Sequence, residues 1–109
     1  MKRITRSWQA EEDLKAASAY YARKSVMTAR KFVRSVQTAL DLLRCHPGIG
    51  SSRYAATASI HGLRNIVVKR FPYLIFYFDK PEEIFVFRIM HMGRDIPETL
   101  LDMDSGSFA

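Results

Sequence analysis

Five side chains in the second half of the chain could do chemistry together: Arg64, Arg88, His91, Arg94 and Asp95. Arg64, Arg88 and His91 are set in or beside runs of β-branched, aromatic and large apolar residues, Ile66–Val68, Tyr73–Phe78 and Ile84–Met90. An unpaired charge buried in such a run costs several kcal/mol, so each needs a partner or a purpose. Guanidinium groups bind carboxylates and phosphates, and a histidine beside them can move a proton near neutral pH. The blander reading is structural. Arg64 and Arg88 then pair with Glu82, Glu83 or Asp95 and hold the rim together, while His91 hydrogen-bonds Asp95 or a loop carbonyl. Cys45 is the one cysteine, so no internal disulfide can form. Beside His46 and Pro47 it reads as a helix-end residue, with no second thiol or nearby carboxylate to make it a metal ligand or nucleophile. No metal or other cofactor is expected.

The whole chain must supply the frame for these groups. Its 109 residues suit one domain, taken here as residues 1–101 with a flexible tail over 102–109. Hydrophobic residues make up 48% and charged residues 26%, which excludes a disordered polypeptide. Seventeen Lys and Arg against eleven Asp and Glu leave a net charge of +6 and a pI near 9.8. That field favours an acidic partner or a nucleic acid, unless it serves only solubility. The apolar run Tyr73–Phe78 is far too short to span a bilayer, and polar, acidic Ser7–Lys15 lacks the apolar stretch of a signal peptide. No membrane association and a cytoplasmic location follow as expectations.

Met1–Arg6 alternates enough for an edge strand. Ser7 makes an N-cap, and Glu11, Glu12 and Asp13 put negative charge in the first turns of a helix, where its dipole favours them. Ala10, Leu14, Ala17 and Tyr21 form its apolar stripe, which predicts a helix to about Arg23. Ser25 caps a second helix with the stripe Ala29, Phe32, Val33, Val36, Leu40 and Leu43, stopped by His46-Pro47-Gly48. The short connection at Lys24-Ser25 predicts an antiparallel hairpin. Gly48 to His61 reads as a loop, and no acid lies between Leu42 and Phe78. Strands follow over Leu63–Lys69, Pro72–Phe78 and Ile84–His91, the last two joined by the turn Asp79-Lys80-Pro81-Glu82. One helical turn is expected over Pro97–Leu101. The predicted class is α+β, a helix hairpin packed on a mainly antiparallel four-stranded sheet.

Alternation sorts the strand residues by face. Phe85, Phe87 and Ile89 form a fully apolar set expected beneath the helices. The opposite face then carries Arg64, Tyr73, Tyr77 and Arg88 among aliphatic residues, an open surface suited to an acidic partner or to RNA bases. Strict alternation sends His91 away from Arg88 unless the strand ends or bulges near Met90.

In this arrangement the chain resembles the ParE branch of the RelE/ParE superfamily of toxins from type II toxin–antitoxin systems. The likeness runs from about Ile4 to Leu100. It is carried by Ser7, Ala10, Asp13-Leu14 and Tyr20, then Ala29, Phe32, Val36, Leu40 and Leu43, then Pro47 and Gly50. Gly62-Leu63-Arg64, Phe71-Pro72-Tyr73 with Ile75 and Tyr77, and Arg88-Ile89-Met90-His91 with Arg94-Asp95 complete it. The resemblance implies a cognate antitoxin that wraps the toxin and is often acidic where it binds. It also implies DNA gyrase as the target of ParE-like members, whereas RelE-like relatives cut mRNA on the ribosome.

Those two activities ask for different residues. RNA cleavage by 2′-OH attack needs a base, an acid and cations around a phosphorane-like transition state. Arg64, Arg88 and Arg94 could supply the cations and His91 the acid. No acid precedes Arg64 in its loop, and no Tyr, Lys, Arg or His follows Asp95. His61 could stand in as base, though its spacing does not require it. The non-catalytic toxin is the favoured reading and the RelE-like mRNA endonuclease the alternative. A member with another target, or one that retains only antitoxin binding, stays open, as does direct contact with nucleic acid. The binding surface for target and antitoxin is assigned to Arg64, Tyr73, Tyr77, Arg88, His91, Arg94 and Asp95, with the antitoxin covering the open sheet face and part of the hairpin.

Overall fold

The computed structural model describes residues 2–93. Arg94, Asp95, the turn expected at Pro97–Leu101 and the tail lie outside the described residues. Strand β1 (Arg3–Arg6) leads into helix α1 (Trp8–Lys24), whose N-cap is Ser7, with its hydroxyl accepting from Ala10 N–H. Helix α2 (Val26–Cys45) begins after a one-residue joint, Ser25, which caps it through Thr28 N–H. A 3-10 turn (Pro47–Ile49) and a short helix α3 (Arg53–Thr57) come next. These break up the segment Gly48 to His61 read from sequence as a loop, because Pro47 suits a first helical position and Tyr54-Ala55-Ala56 has no strand pattern. Strands β2 (Leu63–Val67), β3 (Tyr73–Asp79) and β4 (Glu83–His91) complete the sheet.

The strand order is β1-β4-β3-β2. The pairs β2–β3 and β3–β4 are antiparallel, while β1 runs parallel to β4. The architecture is therefore the expected α+β one. Among the described residues no helix is long and apolar enough to cross a membrane.

Both faces of the sheet are covered. On one side Ala10, Ala17, Phe32, Val36, Leu40 and Leu43 of the hairpin pack on Ile75, Tyr77, Ile84, Val86 and Ile89. On the other, Ala58 and Ile60, with Tyr54 and Ala55 of α3, lie over Leu63, Leu74, Phe76, Phe87 and Met90. The face assignment drawn from alternation is thus reversed at several places. Phe85 and Phe87, expected beneath the hairpin, belong to the α3 side, and Tyr73 and Tyr77, expected on an open face, belong to the helix side. Ile89 does lie under the helices, parted from the two phenylalanines by a β-bulge. Phe76 pairs with Arg88 and Tyr77 with Val86, so Phe87 is the extra residue and alternation shifts by one beyond it. With a layer on each side, both strand faces are apolar, and composition alone cannot say which one meets the helices.

Candidate functional site

Of the residues singled out by their chemistry, the three described ones, Arg64, Arg88 and His91, do not form one cluster. Arg88 leaves β4 toward α1 and meets Asp13 as a two-pronged pair, Nε to Oδ2 at 2.6 Å and Nη2 to Oδ1 at 2.8 Å. The side chains are only 11% and 14% exposed, so this is a buried ion pair rather than a surface contact. The same Asp13 Oδ2 accepts the backbone N–H of Ile89 at 3.0 Å. Of the partners proposed from sequence for Arg88, Asp95 lies outside the described residues, no ion pair among the described residues involves Glu82, and Glu83 accepts from Thr5 and lies 3.8 Å from Arg3.

This junction is where β1 stops. Beyond Arg6 no strand among the described residues lies beside the outer edge of β4, and the start of α1 supplies hydrogen-bonding groups there. Ser7 N–H donates to Val86 O at 3.0 Å, Ser7 Oγ donates to Phe87 O at 2.7 Å, and Asp13 takes Ile89 N–H. The sequence carries a signal for Asp13 that its position in an acidic first turn conceals. It falls three residues after Ala10 and four before Ala17, so it lies on the buried stripe of α1.

Arg64 serves the opposite edge of the sheet. Its Nη1 donates to Gly50 O at 2.8 Å and to Gly48 O at 3.3 Å, tying β2 to the 3-10 turn. Its cross-strand neighbour Tyr77 is fully buried and donates to Pro47 O at 2.8 Å while accepting from Gly50 N–H at 3.0 Å. Burial pushes the Tyr77 phenol above its ordinary range, while the Gly50 hydrogen bond and the Arg64 charge pull it partly back. Gly50 is required here, because an added Cβ would lie 2.8 Å from Tyr77 Cε1. Tyr77 is therefore a strut and presents no surface to a partner.

His91 stands apart from Arg64. It pairs with Tyr73 across the sheet, four residues along β3 from the Tyr77–Arg64 pair, which is about 13 Å of strand. Its ring is exposed and meets Tyr73 edge-on at 5.2 Å, and its Nδ1 accepts Gly93 N–H at 2.9 Å. Tyr73 in turn joins a cluster with Tyr21, Phe32 and Phe71 under the hairpin. A notch of about 170 Å³ opens here, between Asp13, Tyr20, Tyr73 and His91. Among the described residues no three His, Cys, Asp or Glu side chains come together to hold a metal ion.

The charge on the surface lies elsewhere. Between Asp13 and Asp79 the chain has eleven Lys and Arg, six before Asp41 and five after it, and Asp41 is the one acid. Several of the cations gather along α2 and the β2–β3 turn. There a hollow of about 410 Å³ is floored by Ala39, Leu42, Ile49 and Ile66 and rimmed by Arg34 and Arg70. Sequence reasoning missed this groove, since it belongs to two elements thirty residues apart, and periodicity reads one element at a time.

Three comparisons bear on what such a molecule is. The family model described as ParE toxin of type II toxin–antitoxin system, parDE, matches residues 4–96. A search of curated protein sequences finds no significant match. Among solved structures, a chain of the chromosomal ParDE toxin–antitoxin system from P. aeruginosa superposes with a TM-score of 0.69 at 22% identity, over 84% of this chain and 96% of that one.

Proposed function

We propose that this chain, which belongs to the ParE toxin family of type II toxin–antitoxin systems, acts by inhibiting DNA gyrase and not by cutting RNA, and is held inactive by a cognate antitoxin. The observation that supports this reading most is the Asp13–Arg88 pair. A guanidinium that grips a carboxylate through two prongs and is nine-tenths buried is not available to a phosphorane. Arg64 is bound to two loop carbonyls, and His91 lies a dozen or so ångströms of strand away from it, about 13 Å. A nuclease needs its acid, base and cations within hydrogen-bond reach of one phosphate. Arg64 lies on β2 and Arg88 and His91 on β4, with β3 between them, which supports the non-catalytic reading.

The basic, acid-poor middle of the chain supports an acidic antitoxin segment as the neutralising partner. The open sheet face first assigned to it does not exist, since Ile75, Phe76 and Tyr77 are fully buried.

A supercoiling assay with purified gyrase tests the proposal, run beside a translation extract in which mRNA integrity is followed. The expected result is lost supercoiling with intact mRNA. Cleaved mRNA that becomes intact with both Arg64→Ala and His91→Ala would instead establish the RelE-like alternative.

A further inference from the structure

We infer that the tip of the helix hairpin and the turn between β2 and β3 form one cationic face that binds the phosphate backbone of duplex DNA without reading its sequence. This rests on the reading of the chain as an inhibitor of gyrase, whose substrate is duplex DNA, and adds a direct contact with that substrate.

Three elements bring the face together. Arg23 and Lys24 end α1, Arg30, Lys31 and Arg34 stand on the first half of α2, and Lys69 and Arg70 lie between β2 and β3. Aromatic packing fixes them at one end of the molecule: Phe71 meets Tyr21 of α1 at 5.1 Å and Phe32 of α2 at 5.2 Å. Arg34, Lys69 and Arg70 share the rim of one hollow. All these cations are exposed, and no ion pair among the described residues involves any of them.

The described acids lie elsewhere. Asp79, Glu82 and Glu83 belong to the far end of the sheet, about 20 Å of strand from Tyr73. Glu11, Glu12 and Asp13 begin α1, and even Asp13 is about 15 Å of helix from Arg23. Asp41 lies about 10 Å of helix beyond Arg34 and is 4.0 Å from Arg44. Charge is thus separated along the molecule, and the basic end keeps a field that interspersed carboxylates would cancel.

The arrangement of the cations selects the occupant. Lys31 and Arg30 are each helical neighbours of Arg34, so their charges stand side by side. A duplex carries one negative charge for about every 1.7 Å of its axis, and such an array meets phosphates in any register. A single strand finds little to stack on. Tyr21, Phe32, Phe71 and Tyr73 pack on one another, and the Lys24 ammonium lies over the Tyr20 ring at 5.0 Å. Phosphate contact without base contact gives binding that is indifferent to sequence and sensitive to salt.

The test is fluorescence anisotropy of a labelled duplex of about 20 base pairs and arbitrary sequence with the full-length protein, between about 50 and 200 mM salt. The proposal expects about four phosphate contacts, and so an affinity that falls about 150-fold across that range. Arg30→Gln with Arg34→Gln, or Lys69→Gln with Arg70→Gln, should each weaken binding about tenfold at the lower salt and flatten the logarithmic salt slope by about two. Lys15→Gln with Lys80→Gln removes as much charge outside the face and should change affinity by about twofold or less. An absence of binding at the lower salt, or an equal loss in all three double variants, overturns the proposal. So does oligothymidylate that binds as tightly as the duplex, or polyglutamate that displaces it at equal charge, which makes this end a surface for acidic protein. A supercoiling assay runs in parallel. If the chain inhibits gyrase without binding the duplex, this inference fails and the toxin reading stands. If the duplex binds as expected and gyrase is unaffected, the cationic face holds and the choice of target falls.

Discussion

Two edges of the same sheet meet a helix, and they end differently. At β4 the edge left by β1 is closed from within: Ser7 and Asp13 of α1 take the backbone groups of Val86, Phe87 and Ile89, and Arg88 neutralises the carboxylate that does so. At β2 the closure ends with the bridge from Ser51 to Asn65, short of exposed Val67, and Lys69 and Arg70 nearby enter no ion pair among the described residues. A buried charge that is paired cannot recognise anything else. An exposed one that is unpaired can still meet a partner of opposite charge. The lesson is that the residue type most suggestive of catalysis, an arginine in an apolar strand, marks the finished edge, while unremarkable surface cations mark the unfinished one.

The sharpest way to break this contrast is at the finished edge. Asp13→Ala takes from buried Arg88 its two-pronged carboxylate partner and also strands Ile89 N–H, and is expected to cost about 3–5 kcal/mol in urea unfolding. Asp13→Leu with Arg88→Met replaces both charges by apolar groups and is expected to recover much of that loss. If Asp13→Ala costs under about 1 kcal/mol, the pair is a surface ornament and the contrast between the edges fails.

Next in size is the strut that positions the 3-10 turn beside the groove. Gly50→Ala forces a methyl against the Tyr77 ring and is expected to cost about 1–3 kcal/mol. Tyr77→Phe loses the bonds to Pro47 and Gly50 and is expected to cost a similar or smaller amount, about 1–2 kcal/mol. The same phenol sets an alkaline limit. Its folded-state pKa is raised, so its contribution is fully present below the unfolded value near 10 and is lost as pH climbs through the folded one. Stability measured from neutral pH to above 10 should fall less steeply in Tyr77→Phe than in the unaltered chain. Tyr21, raised chiefly by burial, keeps a residual slope.

How much of this was legible in the sequence differs between the two layers. The helices were plain: Ser7 and Ser25 cap where their hydroxyls suggested, and Phe32, Val36, Leu40 and Leu43 are buried as their spacing required. A helix covers one face only, so its stripe says where the core is. The strands carried no such label. Covered on both sides, and shifted by a bulge at Phe87, they offered two equally apolar faces, and the wrong one was turned to the hairpin. The site went the same way. Arg64 and Arg88 were rightly singled out as charges needing partners, but those partners are loop carbonyls and a helical aspartate, contacts that span fourteen and seventy-five residues and leave no local pattern.

The smallest expected effect probes the unfinished edge without disturbing the fold. Arg70 sits at φ 73°, in the left-handed region that a side chain with a Cβ pays to occupy. Arg70 is exposed, and no ion pair among the described residues involves it. Arg70→Gly relaxes that backbone and should raise stability by up to about 1 kcal/mol in urea unfolding. If the rim serves a partner, the same substitution weakens duplex binding while it stabilises the fold, so the two measurements move in opposite directions. A loss of stability would mean that Arg70 holds an internal contact, and the β2 edge would then be as finished as the other.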